Sequence, residues 1–217
     1  MSARTLAGLL HRIRACEVCA AHLPLGPRPT LRASETAKVL LIGQAPGTRV
    51  HQTGVPWNDP SGVRLRSWLQ VADDAFYDER QIAIVPMGFC YPGRQASGGD
   101  SPPRPECAPL WHRAIRSALP SVRLTLLIRS YAQAYYLAKR RKATMGETVR
   151  AWDEYQPDFF PLPHPSWRTV GWQRRNPWFE KDVVPALRAR VANALATPAS
   201  PFSSSGRHPG AAATHSA

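Results

Sequence analysis

Four short apolar runs, each separated from the next by a helical pattern, constrain this chain more than any other feature. VLLI follows Lys38, QIAIVPM spans residues 81–87, VRLTLLI spans 122–128 and FFPL spans 159–162. Runs that are apolar without alternation suit strands buried on both faces, the condition of a parallel sheet covered by helices. Between them lie helical patterns. Residues 61–71 put Leu65, Trp68 and Leu69 on one face, and further helices are predicted over 110–119, 130–142 and 144–155. Leu6, Leu9, Leu10 and Ile13 give residues 3–15 helical spacing, and 176–194 reads as a closing helix with Asn176 at its N-cap and Pro177 at the first turn. The alternation predicts an α/β sandwich with a mostly parallel, four-stranded central sheet.

The chain has 217 residues, the size of one domain with appendages. That domain is expected over residues 1–195. Residues 196–217 are small, polar and rich in Pro and Gly without periodicity, the composition of a disordered tail. Half of the 22 prolines concentrate at 24–29, 102–109 and 157–165 and predict ordered, extended connections there. With 28 Lys and Arg against 15 Asp and Glu, the net charge is +13, which points to a polyanionic partner such as DNA. No stretch approaches the roughly 18 apolar residues of a membrane helix. The N-terminus lacks a secretory pattern, so a cytoplasmic monomer without a membrane partner is expected.

All four cysteines fall into one arrangement: Cys16 and Cys19 as a C-x2-C pair, then Cys90 and Cys107 in a Pro/Gly-rich region. Disulfides are disfavoured in the cytosol. The spacing therefore points to a tetrathiolate site for an iron-sulfur cluster or for zinc; the alternative is unligated thiols. Such a site would tie the N-terminal arm to the loop over 88–109.

A glycine loop, Gly43-Gln44-Ala45-Pro46-Gly47, directly follows the first strand, where open α/β sheets place ligands. At the far end of the chain, Leu162-Pro163-His164-Pro165-Ser166 sets a histidine on a proline-flanked corner. The ordered set of cysteine pair, GQAPG, Trp57, two further cysteines and HPS resembles the uracil-DNA glycosylase superfamily, most closely its family 4 enzymes with an iron-sulfur cluster. The likeness runs from about Ala15 to Leu187. It implies a three-layer α/β/α sandwich, a 4Fe-4S cluster on Cys16, Cys19, Cys90 and Cys107, and hydrolysis of the N-glycosidic bond of uracil or a related deaminated or modified base in DNA. By the same resemblance His164 donates to the base oxygen that gains charge. Backbone N-H groups at Gln44 and Ala45 contact the base, Trp57 stacks where the family has Phe, and Ser166, Trp167 and Arg168 probe the minor groove.

The departures from the family pattern bear on mechanism. Gln44 stands where the family has Glu, Val50 replaces the acidic residue expected downstream, and Pro86 stands where an Asn reads the uracil edge. His51 beside Val50 is a candidate for positioning or activating water; its alternative is an exposed loop histidine. Asn58 could supply an amide to a base edge and Asp59 could act on water or the sugar cation, unless both shape the turn before the next helix. Two functions follow: a monofunctional base-excision glycosylase, or a non-catalytic DNA-binding protein that keeps the fold and cluster. The run 139–142, KRRK, reads either as a phosphate contact or as a solvated helix end.

Overall fold

A computed structural model of the chain describes residues 5–96 and 98–196; apart from Ala196, the predicted tail lies outside the described residues. Strands β1 (Val39–Ile42), β2 (Ile82–Ile84), β3 (Leu124–Ile128) and β4 (Phe159–Leu162) form one sheet in the order β2-β1-β3-β4. Every pairing is parallel, with Val39 opposite both Ile82 and Leu124, and Thr125 opposite Phe159. All strand residues are buried, as the unbroken apolar runs required.

Alternation along each strand divides the interior into two cores. Leu40, Ile42, Ala83, Leu127 and Phe159 face one side, where they meet helices α1 (Leu6–Arg14), α5 (Cys107–Ser117) and α6 (Arg129–Leu137). Val39, Leu41, Leu126, Ile128 and Phe160 face the other, against α3 (Pro60–Leu69), α4 (Asp73–Tyr77), α7 (Met145–Arg150) and α9 (Val184–Leu195). This is the expected three-layer α/β/α sandwich. The outer edge of β2 is covered by an extended segment in which Arg32 exchanges both backbone hydrogen bonds with Ile84, at 2.9 and 2.8 Å, protecting an otherwise open sheet edge.

Differences from the expected elements have local causes. β2 stops before Pro86, which has no N-H for the ladder; pairing resumes beyond it, where Met87 and Gly88 donate to the carbonyls of Gly43 and Gln44. Helix α2 (Thr48–Thr53) carries a single buried residue, Val50, so it had no apolar periodicity; Gly54 ends it in the left-handed conformation. The closing helix is regular only from Val184. Pro185 offers no N-H to the Lys181 carbonyl, and the chain before it winds in a wide turn over Phe179–Val183. Asn176 does not cap this helix: its Nδ2 donates to the Trp172 carbonyl at 2.8 Å, closing α8 (Val170–Arg175) instead. Trp172 and Trp178 pack edge to face at 5.5 Å beside Phe179.

Helix α3 is set by a close backbone contact. Asp59 caps it, accepting from the Gly62 N-H at 2.8 Å. The Trp57 carbonyl accepts from Arg66 Nη1 and from the Tyr77 hydroxyl, each at 3.2 Å. A Cβ on Gly62 would stand 1.7 Å from that carbonyl oxygen, whereas a Cβ on Gly171 in α8 meets nothing within 4 Å. Gly62→Ala is therefore expected to lower the thermal midpoint severely or prevent folding. Gly171→Ala should be neutral or stabilising by about 0.5–1 kcal/mol; thermal melts of both variants check the contrast.

Candidate functional site

The four strands end at one edge of the sheet, and each delivers a residue there. β1 runs into Gly43, β2 into Pro86, β3 into Arg129 and β4 into His164. All four line a single cleft of about 560 Å³ with Gln44, Trp57 and Asp100. Ligand sites of open α/β sheets form at this edge because it is where the buried strands release their chain into loops.

Trp57 forms one wall. Its backbone sits at φ 58°, in the left-handed region that tryptophan rarely adopts. Its ring lies 5.8 Å from that of His164, tilted by 32°. A Cβ on Gly43 would stand 3.1 Å from Trp57 Cζ2, so the first glycine of the loop is what lets the indole close over the strand end. Opposite, the His164 corner is fixed at its backbone: Thr169 Oγ1 donates to the His164 carbonyl, and Arg64 Nη1 to that of Ser166 at 3.1 Å. Burial, reinforced by the Arg129 cation and opposed by Asp59, lowers the His164 pKa to about 4. At neutral pH its imidazole is uncharged and carries one N-H, a donor suited to an anion developing nearby.

Arg129 was passed over in the sequence, although it follows the last apolar residue of β3 just as Gly43 follows β1. Its φ of 72° is a strained conformation for a residue with a side chain. Its Nη1 donates to Gln44 Oε1 at 2.8 Å, and Gln44 Nε2 donates to the Ser101 carbonyl at 2.9 Å. Both ends of the Gln44 amide are thus engaged within the protein. Asp100, the first acidic residue of the loop between Cys90 and Cys107, also lines the cleft. Only that loop position could have signalled it.

The other expected site residues divide. Ala45, Asp59, Ser166, Trp167 and Arg168 line the cleft. Asp59 uses one carboxylate oxygen as the cap of α3. Trp167 is 75% exposed, an apolar ring presented to solvent at the cleft rim. Arg168 lies over that ring at 5.4 Å and against Gly99, 3.1 Å from where its Cβ would be. Asn58 and His51 do not line the cleft. Asn58 Nδ2 donates to Thr53 Oγ1 at 2.9 Å, and His51 lies on α2 with its ring 6.0 Å from that of Tyr91. Within the KRRK run, Lys142 pairs with Glu154 and Arg140 lies over Tyr155 at 5.5 Å, as at a helix end tied to its neighbour.

Behind the cleft, His112 Nε2 meets the Pro86 carbonyl at 3.0 Å and its Nδ1 meets the Tyr136 hydroxyl at 2.7 Å. Burial lowers the His112 pKa to about 4. The Pro86 carbonyl is therefore turned to the interior, although the residue itself lines the cleft.

The four cysteines, distant in sequence, line one small pocket with Phe89 and Arg104. None is in a disulfide. Cys19 Sγ donates to Glu106 Oε2 at 3.7 Å, and burial raises the thiol pKa of Cys19, Cys90 and Cys107, that of Cys107 to about 12. Among the described residues no three His, Cys, Asp or Glu side chains are gathered closely enough to grip a single metal ion.

A family model described as the uracil DNA glycosylase superfamily matches residues 32–188. Among solved structures, the solution NMR structure of a candidate uracil DNA glycosylase from Methanosarcina acetivorans is similar at 15% identity. The match covers 75% of this chain and 98% of that one, with a TM-score of 0.42.

His112 and His164, both neutral when folded to about pH 4, take up protons near pH 6.5 once unfolded. Between these values the unfolded chain binds more protons, so their contribution to stability is full above pH 6.5 and is lost toward pH 4. The urea midpoint should fall between pH 7.5 and 4.5. His112→Phe should flatten that fall while costing about 1–3 kcal/mol at pH 7.5, since Pro86 and Tyr136 lose their partner; urea titrations at several pH values check both.

Proposed function

The chain belongs to the uracil DNA glycosylase superfamily, and from that premise we propose that it is a monofunctional DNA-repair glycosylase. It hydrolyses the N-glycosidic bond of uracil or a related deaminated base. The observation that carries this reading is the meeting of His164 and the Gly43–Gly47 loop across one cleft with Trp57 as its wall. A base drawn out of the stack lies against the indole face. As the glycosidic bond breaks, its electron pair moves onto the base, and the neutral His164 N-H stabilises the resulting anion with the Arg129 cation nearby. Trp167 and Arg168 at the rim enter the groove from which the base has left. The net charge of +13 supports phosphate contacts along the way.

A second reading, a DNA-binding protein without hydrolysis, is favoured by two observations. Both ends of the Gln44 amide already have partners within the protein, and Pro86 has no side-chain amide with which to read a base edge.

The same reading puts a 4Fe-4S cluster on Cys16, Cys19, Cys90 and Cys107. Convergence of the four thiols on one pocket supports it. Bound there, the cluster would act as a structural cross-link between the turn after α1 and the loop that leads into α5.

Metal-replete protein should release base from single- or double-stranded oligonucleotides carrying uracil, hypoxanthine, xanthine or hydroxymethyluracil, with abasic sites revealed by alkali. His164→Ala should slow the reaction by roughly 10²–10³-fold. Tight, salt-sensitive DNA binding without product would establish the second reading. Protein purified without oxygen should contain about four iron atoms per chain, with less iron and a lower thermal midpoint in Cys16→Ser. A fully folded chain without iron would overturn the cluster assignment.

A further inference from the structure

Gln44 does not replace the carboxylate it displaces, but it holds the segment that brings another. Its Nε2 donates to the carbonyl of Ser101 and its Oε1 accepts from Arg129, so the amide bridges the end of β3 and the residue next to Asp100. Asp100 pairs with Arg94 in an isolated antiparallel bridge, and Ser101 donates to the Gly93 carbonyl at 2.9 Å. The loop is thereby closed on itself and fastened to the sheet edge. Asp100 Oδ2 lies 3.6 Å from where a Cβ of Gly47 would be, directly over the glycine loop.

The Asp100 carboxylate is partly buried and raised in pKa by burial, with Asp59 adding to the shift and Arg94, Arg129 and Arg168 opposing it. None of these cations is within ion-pairing distance: the ion pairs among the described residues do not include Asp100. A carboxylate taken partly out of water without a partner costs stability. In a cleft such a group signals a chemical role.

Resting on the glycosylase reading, we propose that Asp100 is the carboxylate that acts on the nucleophilic water, the role left vacant at Gln44 and Val50. Asp100 accepts a proton from water as the water oxygen bonds to C1′ of the deoxyribose. The C1′–N bond breaks, its electron pair leaves with the base, and the proton passes from Asp100 through solvent to the base anion. The products are an abasic site and the free base.

The test is single-turnover cleavage of whichever base the wild-type protein removes. Asp100→Asn should cut roughly 10²–10⁴-fold more slowly, with DNA affinity retained or tightened. Asp100→Glu should restore part of the rate, and formate should rescue Asp100→Ala. The acid limb of the wild-type pH profile should be altered in Asp100→Asn, a change that a loop-holding role would not produce. Asp100→Asn cutting at the wild-type rate overturns the assignment, as does a loss of rate that neither glutamate nor formate restores. Wild-type protein inactive on all four bases overturns the glycosylase reading itself, and this role with it.

Discussion

A sheet buried on both faces leaves its residues almost no way to meet solvent except at the strand ends. Val39 to Ile42 and Leu124 to Ile128 are enclosed by helices above and below, and β1 and β3 are flanked by strands on either side. Because every pairing is parallel, all four chains leave the sheet at the same edge. Gly43, Pro86, Arg129 and His164 are brought together by this geometry alone, although they are scattered over more than half the sequence. The chemistry of the cleft is built on a covered parallel sheet.

What does not belong to that sheet is held by single interactions. The loop from β2 to α5 has almost no regular structure, and each part is tied by a specific group. His112 grips the Pro86 carbonyl, Gly43 and Gln44 accept from Met87 and Gly88, and the Gln44 side chain takes the Ser101 carbonyl. Cys90 and Cys107 sit in one pocket with the turn that follows α1. Regular elements spread their stability over many bonds, whereas here each bond fixes a different residue.

The sheet was legible because apolar runs without alternation have few other uses, and the helices of α1 and α3 because their apolar residues recur at helical spacing. The glycine loop, Trp57 and His164 were legible as members of an ordered motif. Arg129 was not, since a strained backbone angle leaves no mark on residue type unless glycine or asparagine occupies it. Asp100 was hidden for a different reason: its place depends on a hydrogen bond between Gln44 and Ser101, and no local pattern encodes a contact between residues so far apart. His51 and Asn58 adjoin site residues in sequence, but α2 and the turn after it carry them away from the cleft.

The strand order has a consequence for how the protein forms as it is synthesised. β1 emerges early but stands in the middle of the sheet, and its second neighbour is β3, which follows only after β2 and the long loop into α5. His164 arrives last, on an edge strand that can dock only onto β3. Non-local parallel pairings of this kind assemble slowly, because loop closure precedes the contacts that reward it. A nascent chain that carries the glycine loop and Trp57 therefore exposes the apolar faces of β1 to other chains until β3 is made. The cleft is incomplete until β4 has left the ribosome, and until then partial products of translation carry exposed apolar strand faces of the kind that aggregate.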